Sequence, residues 1–320
     1  MSELLRLAGP APPQSDGRFA PSPTGSLHLG NLRTALLAWL FARSADARFL
    51  VRIEDLDCGR VRQRFAIEQL SDMAAIGLEW DGPVVRQSER AELYEAALAE
   101  LRSQGLLYEC WCTRAEIRGA ASAPHGDLLE GAYPGTCRDM SAGDRASRAA
   151  SGRPPALRVR AQDARVSVED RVRGALTGSV DDLVVRRGDG AFAYNLTVVV
   201  DDHDQGVGEV VRGEDLLSST PCQVWLQQRL GLSTPGYAHV PLALGADGAR
   251  LAKRHGAVTL AGRAALGETP ADVAGLLAAQ IGLAENGESP APETLVERFR
   301  ERVLREARAG YNAPTRGVDG

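Results

Sequence analysis

A chain of 320 residues, 44% hydrophobic and 25% charged, has the composition of a globular protein of two or three compact units. Its nearest approach to an apolar run, Ala35–Ala42, falls short of the ~18 residues of a membrane span. Glu3 and the Pro-rich Pro10–Pro13 do not read as a signal peptide, so a cytoplasmic protein is expected. A net charge of −5 gives no global basic footprint for non-specific nucleic-acid binding, though the arginines suffice for a local patch. Five cysteines in a long, signal-free chain argue against a disulfide framework.

The first informative segment is Arg18–Asn31, RFAPSPTGSLHLGN. A short apolar strand, Arg18-Phe19-Ala20, runs into a turn of small residues. A helix follows whose Leu32, Ala35, Leu36, Trp39 and Leu40 recur at helical spacing on one face. A turn between strand and helix N-terminus presents unpaired backbone N–H groups and the positive end of the helix dipole, where a phosphate binds. His28 and Asn31 add neutral donors beside it.

Phe49–Ile53 is a β-rich run that completes a strand–helix–strand unit, as in parallel sheets with ligands at the carboxyl ends of the strands. Glu54-Asp55-Leu56-Asp57 falls at that end of the second strand. Helical patterns follow at Arg62–Ile76 and Glu89–Gln104, closed by Gly105 as a C-terminal cap. From about Leu106 to Arg187 the chain reads as an insertion, with a flexible stretch at Ser141–Pro155 and a strand at Ala156–Arg160.

Within the insertion, Cys110 and Cys112 stand two residues apart, and Cys137 follows on a distal loop after Tyr133. Three thiolates so arranged can take three corners of a tetrahedral zinc site. Tyr133, His125 and Asp127 are the local candidates for the fourth, and chemistry alone favours the imidazole of His125. Cys58 and Cys222 are isolated and read as structural.

The sheet resumes with Ala191-Phe192-Ala193-Tyr194 and then Val198–His203; Arg212 to Asp215 follows a further short strand, Glu209–Val211. From about Tyr237 the chain carries a polar loop and then helical patterns, with a polar tail at Tyr311–Gly320. Lys253, in Arg250–Gly256, is the single lysine among 37 basic residues. Arginine does not freely replace lysine where a compact point charge must meet a transferring phosphate.

Together these motifs resemble the class I aminoacyl-tRNA synthetases. His28-Leu29-Gly30-Asn31 is similar to their HIGH signature, and PSPTG narrows the likeness to the glutamyl/glutaminyl group. The stretch around Lys253 resembles the KMSKS loop, with Arg250 for its first lysine and Ala252 for its serine. The likeness spans roughly Gly17 to Gly256 and includes RIEDLD, YNLTVVVDDHDQG and VVRGEDLL. CxC followed by YxxxC resembles the zinc site of the glutamyl-queuosine tRNA(Asp) synthetases, which implies one structural zinc on Cys110, Cys112, Tyr133 and Cys137.

The resemblance implies an α/β fold: a Rossmann-type parallel sheet, an inserted zinc-bearing subdomain and a C-terminal helical subdomain. The expected division is 17–105, first catalytic half; 106–187, insertion; 188–236, second catalytic half; 237–320, lysine loop, helical subdomain and tail. It implies ATP- and magnesium-dependent, tRNA-independent activation of L-glutamate to glutamyl-adenylate. His28 and Lys253 would be catalytic, and His28, Gly30, Asn31 and Lys253 would bind ATP. Arg18, Phe19, Ala20, Pro21, Ser22, Glu54, Tyr194 and Arg212 would bind glutamate, the arginines by charge-assisted bonds to carboxylates and Glu54 at the ammonium. Asp201-Asp202-His203 would be structural or at the nucleotide's edge.

A full glutamyl-tRNA synthetase continues past the lysine loop with anticodon-binding domains of well over a hundred residues, whereas 64 residues follow Gly256 here. That length, with YxxxC, leads to the glutamyl-queuosine enzymes, which place glutamate on queuosine in the anticodon loop of tRNA(Asp). The expected form is a monomer. The alternatives are a truncated glutamyl-tRNA synthetase charging tRNA(Glu) and a non-enzymatic glutamate- or adenylate-sensing paralogue.

Overall fold

The computed structural model describes residues 15–121, 133–244, 251, 256 and 258–311. The chain opens with β1 (Asp16–Phe19), α1 (Leu29–Ser44), β2 (Phe49–Ile53), α2 (Gln63–Ala75), β3 (Val85–Arg86) and α3 (Ala91–Ser103). β4 (Leu107–Cys110), α4 (Arg114–Ala121), α5 (Ala142–Ala149), β5 (Ala156–Val159), β6 (Arg165–Asp170), β7 (Gly174–Ser179) and β8 (Val184–Arg186) follow. The remaining elements are α6 (Tyr194–Asp204), β9 (Val207–Gly213), α7 (Thr220–Leu230), β10 (Gly236–Val240), α8 (Leu260–Ala264), α9 (Pro270–Gln280) and α10 (Pro292–Tyr311).

Seven strands form one sheet in the order β3-β2-β1-β9-β10-β6-β7, parallel except for the β6–β7 hairpin. From β1 the chain runs outward through β2 and β3 on one side, and β9 and β10 extend the sheet on the other. The order therefore reverses between β1 and β9, and ligands of such sheets bind in the crevice at that point. A second sheet, β4-β5-β8, is antiparallel. The segment 106–187 thus divides: β4, β5 and β8 make the small sheet, while β6 and β7 join the large one through the pairing of Asp170 with Tyr237.

The helix α1 is buried from Ala35 through Ala42 without a break, not on one face alone. It lies against β1 and β9 on one side and α9 and α10 on the other. Leu277 and Phe299 join its core, and the rings of Phe41 and Phe299 stand 5.1 Å apart. Gly105 ends α3 with φ +69°, a conformation glycine adopts without strain, and the following Leu106 N–H reaches back to Leu101 O.

Two local expectations are corrected. The valine run after Tyr194 lies in the helix α6, not in a strand, and the sheet resumes only at β9. Residues Leu196 to Asp202 are all buried, among α3, α7 and β9. A short run apolar on every side does not reveal its period, and packing overrides the strand propensity of valine. The stretch 141–155 is not wholly irregular: Ser141 Oγ accepts from the Asp144 N–H at 3.1 Å and starts α5, whose alanines and arginines are good helix formers.

Candidate active site

A cleft of about 470 Å³ opens at the carboxyl ends of β1 and β9. Arg18, Phe19, Ala20, Pro21, Ser22, His28, Gly30, Asn31, Glu54, Tyr194 and Arg212 all line it. Lys253, and the alternative metal ligands His125 and Asp127, lie outside the described residues. The described flanks of the lysine segment meet the cleft. Leu242 and Ala243 line it, Leu251 N–H donates to Ala243 O at 2.8 Å, and Thr259 bridges to His28.

His28 is the N-cap of α1. Its Nδ1 accepts from Asn31 N–H at 3.2 Å while Asn31 Oδ1 accepts from His28 N–H at 3.3 Å, a reciprocal capping box. With Nδ1 an acceptor, the neutral ring carries its proton on Nε2, so it offers a donor. A Cβ on Gly30 would stand 3.0 Å from the His28 ring and 3.1 Å from Ala243 Cβ, so a side chain there would push the ring or the segment after β10 back by a few tenths of an ångström. Gln69, which sequence reasoning did not find, pins the preceding turn through Ser22 O at 3.2 Å and Gly25 O at 2.8 Å.

The two arginines of the cleft differ in charge balance. Arg18 donates to both oxygens of Asp202, at 3.1 and 3.3 Å. Asp202 also accepts from Arg52, wholly buried, at 2.8 Å. Asp201 accepts from Gln87, Arg90 and Tyr94. These carboxylates therefore orient arginines, and His203 bonds Ser233 at the surface. Burial pushes the Glu54 carboxyl above its ordinary value although Arg52 and Arg18 pull it down. A cation beside Glu54 restores its charged form.

Arg212 has no carboxylate within ion-pair distance among the described residues. Its partners are His239 Nε2 at 2.9 Å, Thr220 Oγ1 at 2.9 Å and Gln223 Oε1 at 2.7 Å, with Tyr194 OH farther off at 3.5 Å. Its charge is thus available to an anion in the cleft. Sequence reasoning missed these neighbours; the one signal was a histidine inside the otherwise apolar strand GYAHV.

The cysteine group sits at the end of β4. The sulfurs of Cys110, Cys112 and Cys137 lie within 4.8 Å of one another. Cys112 and Cys137 Sγ are 3.5 Å apart, and Tyr133 OH is 3.4 Å from Cys110 Sγ and 3.7 Å from Cys112 Sγ. A tetrahedral ion with ~2.3 Å bonds to sulfur and ~2.0 Å to oxygen requires sulfur–sulfur edges of about 3.8 Å and sulfur–oxygen edges of about 3.5 Å. The group can therefore hold a metal ion. Burial and the bond to Cys110 push the Tyr133 hydroxyl well above its ordinary value, against the pull of the Cys137 N–H, which donates to it at 2.8 Å; the Arg158 guanidinium lies 3.8 Å over the ring.

A family model described as tRNA synthetases class I (E and Q), catalytic domain, matches residues 16–270. The chain is 61% identical over 267 residues to the glutamyl-Q tRNA(Asp) synthetase of Nocardia farcinica, covering 83% of this chain and 85% of that protein. It is 50% identical over 295 residues to that of Symbiobacterium thermophilum, covering 88% and 91%. A solved glutamate tRNA ligase from Elizabethkingia meningosepticum, in complex with its amino acid, is similar with a TM-score of 0.76 at 28% identity over 89% of this chain. The present chain spans 64% of that ligase's length.

The fold and the cleft are thus those of a class I tRNA synthetase catalytic domain of the glutamate and glutamine group. Within that class the chain belongs to the family of the glutamyl-Q tRNA(Asp) synthetases, which are ligases. Its chemistry is glutamate-related tRNA modification. Among the described residues, no helix is long and apolar enough to cross a membrane.

Proposed function

We propose that the chain activates L-glutamate with ATP, in the absence of tRNA, and transfers the glutamyl group to queuosine in the anticodon loop of tRNA(Asp). One observation carries the first half: the capped N-terminus of α1 and the Arg18–Glu54–Tyr194–Arg212 corner share one cleft. An anion-binding helix end adjoins a corner equipped for carboxylates and an ammonium. The names of the relatives support the acceptor.

A glutamate carboxylate oxygen attacks the α-phosphorus of magnesium-ATP, the bond to the β-phosphate bridge breaks and pyrophosphate leaves. His28 Nε2–H, the first-turn amide at Gly30, the side-chain NH₂ of Asn31 and the Lys253 ammonium stabilise the charge that develops. Arg18 and Arg212 hold the substrate carboxylates and Glu54 the ammonium. Ser22 and Tyr194 hydrogen-bond the amino acid against Phe19, Ala20 and Pro21. A queuosine hydroxyl then attacks the adenylate carbonyl, loses its proton, and AMP departs from the new ester.

The chain divides into two catalytic halves, an insertion and a C-terminal helical part, with β6 and β7 belonging to the catalytic sheet. Zinc on Cys110, Cys112, Tyr133 and Cys137 would cross-link the insertion and supply structural support only. A cytoplasmic monomer suits such an enzyme. The likeness to a glutamate tRNA ligase favours a second reading, in which tRNA(Glu) is the acceptor.

Glutamate-dependent ATP–pyrophosphate exchange without tRNA tests activation. The wild type should exchange and Lys253→Ala should not, while glutamate binding persists in both. Undiminished exchange by Lys253→Ala overturns the role of the lysine. No exchange by the wild type favours a sensing paralogue.

A further inference from the structure

A buried chain of side chains, Asp170–His239–Arg212, ends in the amino-acid corner of the cleft. Asp170, at the end of β6, is fixed by the backbone N–H groups of Val172 at 2.9 Å, Arg173 at 2.8 Å and His239 at 3.1 Å. Its Oδ2 lies 2.6 Å from His239 Nδ1, both side chains fully buried. His239 Nε2 in turn lies 2.9 Å from Arg212 Nε and 3.2 Å from Thr220 Oγ1.

The proton positions follow from the donors. An arginine Nε–H can only donate, so His239 Nε2 must present its lone pair. The single proton of the neutral ring then sits on Nδ1 and is accepted by Asp170. The groups around the ring agree. Burial, aided by the nearby Arg212 and Arg18 charges, outweighs the pull of Asp170 and lowers the His239 pKa, which keeps it neutral. Burial would raise Asp170, but the bonds from His239 and the backbone hold it below the usual carboxylate range. The Tyr237 ring stacks alongside at 6.0 Å.

The consequence lies at Arg212. Nε is taken by His239, one terminal nitrogen by Gln223 and the other by Thr220, all neutral acceptors. The guanidinium is locked in orientation; the nitrogen bonded to Thr220 keeps one further N–H, and the second N–H of the other makes only the long 3.5 Å contact with Tyr194 OH. A carboxylate in place of the imidazole would lock it equally but add an ion pair, as Asp202 does for Arg18. An imidazole orients the guanidinium without an ion pair.

We infer that His239 is a positioning residue for Arg212, set in its Nδ1–H tautomer by Asp170, and that this relay tunes the affinity of the cleft for a substrate carboxylate. The inference deepens the proposed glutamate-activating function and rests on it for the identity of the ligand.

The test is Asp170→Asn in the full chain. The asparagine oxygen keeps the backbone bonds, while its NH₂ faces Nδ1 and drives the ring proton to Nε2, against Arg212 Nε–H. Side-chain nitrogen NMR should report His239 as Nδ1–H in the wild type and Nε2–H in the variant. In pyrophosphate exchange the glutamate KM should rise about tenfold or more, with kcat and the ATP KM within about twofold. On a His239→Gln background, where no tautomer can switch, Asp170→Asn should leave the glutamate KM unchanged. An Nε2–H tautomer in the wild type overturns the relay, even if the variants fail to fold. So does an Asp170→Asn effect that is equal for glutamate and ATP and persists with His239→Gln. Absence of glutamate-dependent exchange in the wild type would sink the proposed function instead, and the nitrogen spectrum would still decide the relay.

Discussion

Arg18 and Asp202, 184 positions apart in the chain, form a two-point ion pair in the wall of the cleft, with Nε–Oδ1 at 3.1 Å and Nη2–Oδ2 at 3.3 Å. Asp202 also accepts from Arg52 at 2.8 Å, so one carboxylate orients two buried guanidinium groups. Its removal leaves both under-compensated. Asp202→Asn should lower stability by about 3–5 kcal/mol in denaturant unfolding and raise the glutamate KM through a misplaced Arg18.

The pH dependence of that pair has a definite sign. Burial opposes ionisation of Asp202, but Arg18 and Arg52 outweigh it and depress its pKa. A depressed carboxylate contributes stability that is present above the unfolded value and lost as pH falls through the folded one. Between about pH 4 and the folded pKa, the wild type should lose stability more steeply than Asp202→Asn. Parallel curves for the two proteins would contradict the assignment.

His28 combines a structural and a chemical role that substitutions separate. His28→Asn keeps a capping acceptor for the Asn31 N–H but removes the Nε2 donor. Its melting temperature should stay within a few degrees of wild type, while kcat for pyrophosphate exchange falls about 10²-fold or more. His28→Ala should lose the same activity and about 1 kcal/mol of stability besides. Wild-type exchange in His28→Asn would remove the ring from the chemistry.

The first strands were legible because their signals are local. Phe49–Ile53 is bounded in the structure as its β-branched pattern indicates, and the turn before α1 is marked by proline and glycine. What stayed hidden depends on partners distant in sequence. Asp170 and His239 are 69 positions apart, and neither carries a motif. Asp201 and Asp202 read as structural or nucleotide-edge groups, but their partners Arg18, Arg52 and Arg90 are visible only once the fold brings them together. The valines of α6 read as a strand because burial on every side erases the periodicity that separates helix from strand. The hairpin of β6 and β7 lies inside the apparent insertion, and only its contact with β10 assigns it to the large sheet.

The cysteine group makes its own prediction. Purified protein should contain about one zinc per chain, released when the thiols are blocked, with a lower melting temperature after release. Tyr133→Phe should retain three thiolates but bind the ion more weakly. Without metal, burial pushes the Cys112 thiol up to about 11, so binding must expel protons. Affinity should therefore fall as pH falls, and calorimetry in buffers of different ionisation enthalpy should register the protons. Equal zinc affinity in Tyr133→Phe and wild type would remove the phenol from the ligand set.

The most direct test of the account is acceptor choice. The protein is incubated with ATP, magnesium and radiolabelled glutamate, and given tRNA(Asp) with queuosine, tRNA(Asp) without it, or tRNA(Glu). The account predicts label on the queuosine-containing tRNA(Asp) alone, in a base-labile ester. Label on tRNA(Glu), or equal label on tRNA(Asp) with and without queuosine, would contradict it.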